Sequence, residues 1–183
     1  MPLPLRSTFA SLLIILSSLS VTSVFAASAE ELNVEVRATL NKLYKEKPAA
    51  KSLAQRAKGI LVFPTVVKGG IGIGGEYGEG ALLVGNKITS YYNTLSASIG
   101  FQLGAQARSQ IILFMTTDAL QKFQASEGWE AGVDGSVAIA EFSAGGTIDS
   151  QTAQAPIIGF VTDNKGLMYN LTLEGSKITK INK

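Results

Sequence analysis

Apolar positions along the chain change period twice. From Phe9 to Leu19 they form one run interrupted only by serines and an alanine. From Leu32 they recur as Leu32, Val36, Leu40 and Leu43, one stripe of an amphipathic helix. Ser28-Ala-Glu-Glu31 ahead of that stripe fits a capping box. Glu30, Glu31 and Glu35 early and Lys42, Lys45 and Lys47 late suit the helix dipole. Pro48 stops this helix and opens a second over 49–58, with Ala50, Leu53, Ala54 and Ala57 on one face and Gly59 as its C′ residue. Beyond Gly59 the period becomes two.

Strands are expected at Ile60–Phe63, ended by Pro64, at 81–84 and at 88–92. In 95–105, Leu95, Ala97, Ile99, Phe101 and Leu103 share one face. Ile111–Met115 is apolar throughout and reads as a central strand. One helix interrupts, capped by Thr117 or Asp118, with Leu120 and Phe123 inward and Gly128 ending it. Further strands are expected at about 131–142, 143–149, 156–163, 166–173 and 176–181, with hairpin turns at Asp163–Gly166 and Glu174-Gly175. The class is α+β: N-terminal helices, then a glycine-rich, largely antiparallel β-sheet or barrel-like sandwich with one inserted helix.

The leading apolar run changes the expected boundaries. With Arg6 before it and Val24-Phe25-Ala26 after it, residues 1–26 read as a secretory signal cut after Ala26. A membrane anchor needs about 20 apolar residues, more than this run supplies. A lipoprotein needs a cysteine just after the signal, and none is present. The expected product is a single domain of residues 27–183, exported to the periplasm or secreted, with a helical segment at 27–58 and a β core at 59–183. Peripheral contact with a membrane is compatible with that location.

Composition then narrows the chemistry. The chain of 183 residues has no Cys and no His. That removes disulfides, Cys/His metal sites, thiol nucleophiles and any Ser-His-Asp triad. No cofactor is indicated. Residues 27–58 carry seven Lys/Arg against four Glu, residues 59–163 four against nine acids, and residues 164–183 four Lys against Glu174. Basic ends around an acidic centre are too mild for a nucleic-acid footprint. All 19 glycines lie after residue 58, many alternating within strands. Glycine weakens a strand, so the excess implies bending or close approach of a second backbone layer, with ligand approach as the functional alternative.

Several motifs lack their context. Gly70-Ile-Gly-Ile-Gly-Gly75 matches G-x-G-x-x-G literally, yet no helix pattern follows to meet a pyrophosphate. Glu76 and Glu79, flanking Tyr77, are a carboxylate pair that could do acid/base work as in glycoside hydrolysis, but a loop with two solvated glutamates is the favoured reading. Asp118, Asp134, Asp149 and Asp163 form no metal loop. Trp129 anchors the inserted helix to the sheet, with ligand stacking as the alternative. An outer-membrane barrel would need regular strands, aromatic girdles and an aromatic C-terminal strand, which this chain lacks. The residues point to no enzyme.

A longer series of blocks carries a resemblance. Ala57-Lys-Gly-Ile-Leu-Val-Phe-Pro-Thr-Val-Val-Lys-Gly-Gly70 is followed by Gly74-Gly-Glu-Tyr-Gly-Glu-Gly80, then Ser98-Ile-Gly-Phe-Gln-Leu-Gly-Ala-Gln106, Ile111-Ile-Leu-Phe114 and Asp118-Ala-Leu-Gln-Lys-Phe123 before Trp129. In order and spacing this resembles the SYLF domain family, across about residues 50–181. The resemblance implies a lipid-binding module. Eukaryotic relatives bind phosphoinositides and some bind actin filaments; several exported bacterial relatives are lipoproteins. This chain lacks both a lipidation cysteine and a dense basic cluster, and export takes it away from cytosolic actin and phosphoinositides. What carries over is affinity for anionic lipids or a membrane surface. The matched basic positions are Lys58 and Lys68, with Arg56 nearby, proposed to bond phosphate. A structural or protein-interaction module of the envelope, with an envelope protein as partner, is the competing expectation.

Overall fold

The computed structural model describes residues 28–100, 106–143, 146–163, 166–167 and 173–183. The expected leader at 1–26, the end of the 95–105 strand, the tip of the Asp163–Gly166 turn and most of the 166–173 strand lie outside the described residues.

Helix α1 spans Ala29–Glu46 and is capped as its sequence requires. The Ser28 hydroxyl accepts from the Glu31 N–H (3.2 Å) and the Glu31 carboxylate accepts from the Ser28 N–H (2.9 Å). Leu32, Val36, Leu40 and Leu43 are all buried. Helix α2, Pro48–Ala54, starts on a proline, whose missing N–H costs nothing at the first helical position. It ends four residues short of the expected 58. Lys58 instead donates its N–H to Phe114 (2.8 Å), so the sheet takes the backbone over, and Gly59 begins a strand rather than closing a helix.

That strand, β1, runs Gly59–Val84 without a break at Pro64. A register shift between Phe63 and Val66 places the proline where no ladder N–H is needed. Its first part, Gly59 to Lys68, pairs with β3 (Gln106–Phe114); its second part, Gly72 to Val84, pairs with β2 (Lys87–Gly100). The partner switches within the glycine-rich middle, and the two halves stack on each other. A Cβ on Gly80 would lie 2.2 Å from the Val62 carbonyl oxygen, and one on Gly78 2.7 Å from that of Thr65. The glycine excess therefore serves, at these two positions, close backbone approach in a curled sheet. Gly85 and Asn86, both at positive φ (54° and 68°), form the two-residue turn to β2, as a type I′ hairpin demands.

Helix α3 (Thr117–Ala125) follows β3. Its cap is Thr116, one residue before the expected candidates: its hydroxyl accepts from Ala119 (3.2 Å), and the helix ends before Gly128. β4 (Trp129–Glu130) comes next; of the expected strand over 131–142 only β5 (Ala138–Ile139) and isolated bridges are present, and the expected strand over 143–149, of which 144–145 lie outside the described residues, shows only the bridge of Ile148 to Phe142. Gly132 and Gly146 at positive φ break the pairing, and Asp134 accepts from the Glu130 N–H (2.7 Å) to close a tight turn. Helix α4 (Ser150–Ala153), β6 (Ile157–Asp163), β7 (Gly166–Leu167) and β8 (Lys177–Ile181) complete the described chain. Among the described residues, the sheet order is β4-β8-β2-β1-β3-β6-β5, with β7 on β6; only β5 and β6 pair in parallel. The fold is α+β, a curled and mostly antiparallel sheet.

Alternating side chains build two cores. On the convex face, α1 and α2 pack on Val62, Leu83, Ile111, Leu113, Ile158 and Phe160. On the concave face, Leu61, Phe63, Leu82, Ile112 and Phe114 pack with α3 and Trp129. Trp129 meets Phe123 edge-on with centroids 5.7 Å apart, so it does anchor the inserted helix. In β2 the apolar Leu95 points outward and is 56% exposed, while Thr94 is buried.

Candidate functional site

Three elements converge at the α2 end of the sheet. Helix α2 turns Leu53 and Ala54 inward and leaves Lys51 exposed. The chain then turns through Gln55 and Arg56 and enters β1 at Gly59, leaving Lys58 exposed. The Gly85-Asn86 turn closes the far side. The result is a cleft of about 440 Å³, lined by Tyr44, Lys51, Gln55, Lys58, Ile60 and Asn86 among others. It holds two cations and no carboxylate. Among the described residues, no acid pairs with Lys51, Arg56 or Lys58. Burial pushes the Tyr44 hydroxyl above the usual tyrosine range, so it stays a neutral donor and acceptor near neutral pH. Two ammonium groups, a phenol and two amides around an open cleft can receive an anionic oxygen group.

The three basic residues singled out in the sequence are placed differently. Lys58 lines the cleft, and Arg56 lies exposed in the turn beside it without lining it. Lys68 sits far along β1, nine residues from its start, with its Nζ 3.4 Å from Glu76 Oε1. Glu76 is buried and also binds Arg108 through its other oxygen. Turned so that its oxygen faces the guanidinium, the buried Gln110 amide accepts from Arg108 at 3.2 Å. Lys68 therefore belongs to a polar cluster on the concave face. Lys51, Tyr44 and Asn86 were not singled out. Lys51 stood in the same basic stretch, but only the fold brings Tyr44 and Asn86 to it.

The carboxylate pair does not form. Glu76 points into the concave face, while Glu79, three residues on, lies on the opposite face and is 14% exposed. Glu79 accepts from the Tyr77 hydroxyl (2.9 Å) and pairs with Lys183 (2.6 Å). Burial, then the hydrogen bond to Glu79, raises the Tyr77 hydroxyl above its ordinary range. The two carboxylates flank no common space where a scissile bond would sit. The G-x-G-x-x-G match lies inside β1, with no helix N-terminus to meet a phosphate. Among the described residues, no group of three or more potential metal ligands occurs, and no helix is long and apolar enough to cross a membrane.

A family model described as "Ysc84: Las17-binding protein actin regulator" matches residues 95–183, from the middle of β2 through β8. Over these residues the chain is similar to the SYLF domain family. The SYLF family is a non-enzymatic binding family associated with lipid or with actin regulators. No curated protein matches the chain. The blocks quoted above from 57 to 80, and the cleft, lie N-terminal to the matched residues.

Proposed function

We propose that this protein is a non-catalytic lipid-binding module that acts after export, in the periplasm or outside the cell, by peripheral contact with anionic lipid headgroups. The observation that carries the reading is the cleft of about 440 Å³ with Lys51 and Lys58 in its lining and no acid to neutralise them. Arg56 adds a third cation at the same edge. Each contributes about 1 kcal/mol near an anionic surface, so the trio gives weak, salt-sensitive attraction. Lys68 is engaged with Glu76 and is assigned no headgroup.

Co-sedimentation with phosphatidylglycerol and phosphatidylcholine vesicles tests it. Binding to the anionic vesicles is expected at low salt, weaker at physiological salt, and lost in K51E/K58E. Equal, negligible binding to both vesicle types sinks the reading. A second reading, a protein-interaction module, is favoured by Tyr77 and Leu95. They are register partners on the outer surface, 47% and 56% exposed. Capture of a stoichiometric partner that is lost in Y77S/L95S, with no vesicle binding, would select it.

A further inference from the structure

A second cavity opens at the same end of the sheet. It encloses about 470 Å³, within the range of small-molecule sites, about 300–1,000 Å³. Its floor is apolar and buried: Ala119, Trp129 and Ile157. Val137 and Pro156 form walls, and exposed Asp118, Asp134 and Ser136 stand at the mouth. Gly135 lies so close to the Trp129 ring that a Cβ there would be 3.0 Å from Cζ2, which fixes the loop as a wall. Past Ala138 and Ala155, both shared, the cavity continues into a neighbouring depression of about 470 Å³ beside Gln151 and Gln154. The combined shape is a trough, apolar at the Trp129 end and neutral-polar at the other.

We propose that this trough takes an acyl chain of the lipid whose anionic headgroup lies in the Lys51–Lys58 cleft, an assignment that rests on the lipid reading above. Charge excludes an anionic head from the mouth of the trough itself. Lys122 there is already paired with Asp118 (3.0 Å), and Asp134 leaves a net negative charge. The head must sit elsewhere, and the cationic cleft is adjacent. Lys58 donates to the Phe114 carbonyl (2.8 Å), and the next residue, Met115, donates to that of Pro156 (2.9 Å). Gly59, Phe114 and Ile157 are successive partners across β1, β3 and β6. Two strand spacings, about 10 Å, thus separate the cleft edge from the trough wall along the end of the sheet; the cleft opens on the α2 face and the trough on the α3 face, so the lipid bends around that end.

Trp129 is the chain's only tryptophan and reports on the trough directly. The probe is a lysophosphatidylglycerol with a brominated acyl chain, titrated below its micelle-forming concentration, against the same lipid without bromine. Saturable loss of Trp129 emission is expected with the brominated chain alone. A155F and A138F, which fill the trough where its two parts join, should weaken that affinity at least tenfold while leaving phosphatidylglycerol vesicle binding. K51E/K58E should weaken it about tenfold yet leave quenching at saturation. Vesicle binding without quenching overturns the trough and spares the headgroup reading; so does quenching indifferent to both phenylalanine variants. Quenching without vesicle binding keeps the trough and sinks the headgroup reading. Should a phenylalanine variant fail to fold by circular dichroism, the brominated-against-plain comparison on the unaltered protein decides.

Discussion

Glu76→Gln probes the concave polar cluster most directly. The Glu76 side chain is 7% exposed and faces Arg108 at 11% and Lys68 at 21%. Removing its charge leaves two cations with no compensating anion. Breaking a buried pair from one side costs about 3–5 kcal/mol. Water still reaches Lys68 and, less, Arg108, and glutamine keeps the shape and one acceptor, so the expected loss is about 2–3 kcal/mol. With a urea m value of about 2 kcal/mol/M, the midpoint should fall by about 1–1.5 M. Urea unfolding of the purified protein, followed by Trp129 emission, measures this, because Trp129 packs in the core adjoining the cluster. R108M should also destabilise, since it leaves Lys68 as the only cation on Glu76 and removes the donor to Gln110. E76Q/R108M should cost less than the two single changes together, by more than about 1 kcal/mol. A loss below about 0.5 kcal/mol for E76Q, or strict additivity in the double variant, refutes the claim that the cluster is a coupled unit.

Three further outcomes follow from the same geometry. Gly80→Ala should destabilise by about 3 kcal/mol, because its Cβ meets the Val62 carbonyl at 2.2 Å and the Phe63 ring at 2.5 Å, while Gly75→Ala, whose nearest neighbour is the Ser96 oxygen at 3.5 Å, should stay within about 0.5 kcal/mol; thermal unfolding of the pair checks it. Ser28→Ala should cost about 1 kcal/mol by removing the hydroxyl half of the α1 capping box, the residue-28 N–H to Glu31 being kept. The Ser28 N–H and then its hydroxyl hold Glu31 below the usual carboxylate range. Its contribution is therefore present above the unfolded value of about 4.3 and lost as pH falls through the lower folded value, and the S28A variant should show a shallower acid limb in a pH-resolved melt. Lys68→Gln should lower the urea midpoint and leave vesicle binding unchanged, whereas K51Q/K58Q should do the reverse; vesicle binding that depends on Lys68 contradicts its assignment to Glu76.

Local signals made much of this fold legible. The α1 cap, its apolar stripe and the central position of Ile111–Phe114 were readable because backbone conformation there is set within a few residues. The path of β1 was not. Pro64 looked like a strand end, but the register shift beside it depends on β3, a strand more than forty residues away. The region from 131 to 149 had strand-like alternation, yet Gly132 and Gly146 adopt positive φ and tie it into turns. The basic triad split for the same reason. Nothing near Lys68 in sequence announces that Glu76 and Arg108 reach it, because that meeting requires β1 to curl and β3 to pair with it. Tyr44 and Asn86 belong to the cleft only because a helix and a hairpin turn approach the start of β1 from opposite sides.

The single strand β1 also explains why two groups of cations take different roles. Its first residues border the cleft, where the end of the sheet leaves Lys51 and Lys58 in water. Ten residues past Lys58, Lys68 faces the concave side, where it keeps only part of its water and an unpaired ammonium would be costly. Glu76 meets that cost from the second half of the same strand, and it can do so because Gly78 and Gly80 let the two halves close together. The glycines, the buried acid and the engaged lysine are one solution to curling the sheet. Lys51 and Lys58 lie outside that solution: among the described residues no acid pairs with them, and the charge they present at the α2 edge is available for a ligand. Folding thus separates the basic residues by the water they retain, and the position of each along β1 decides which task it serves.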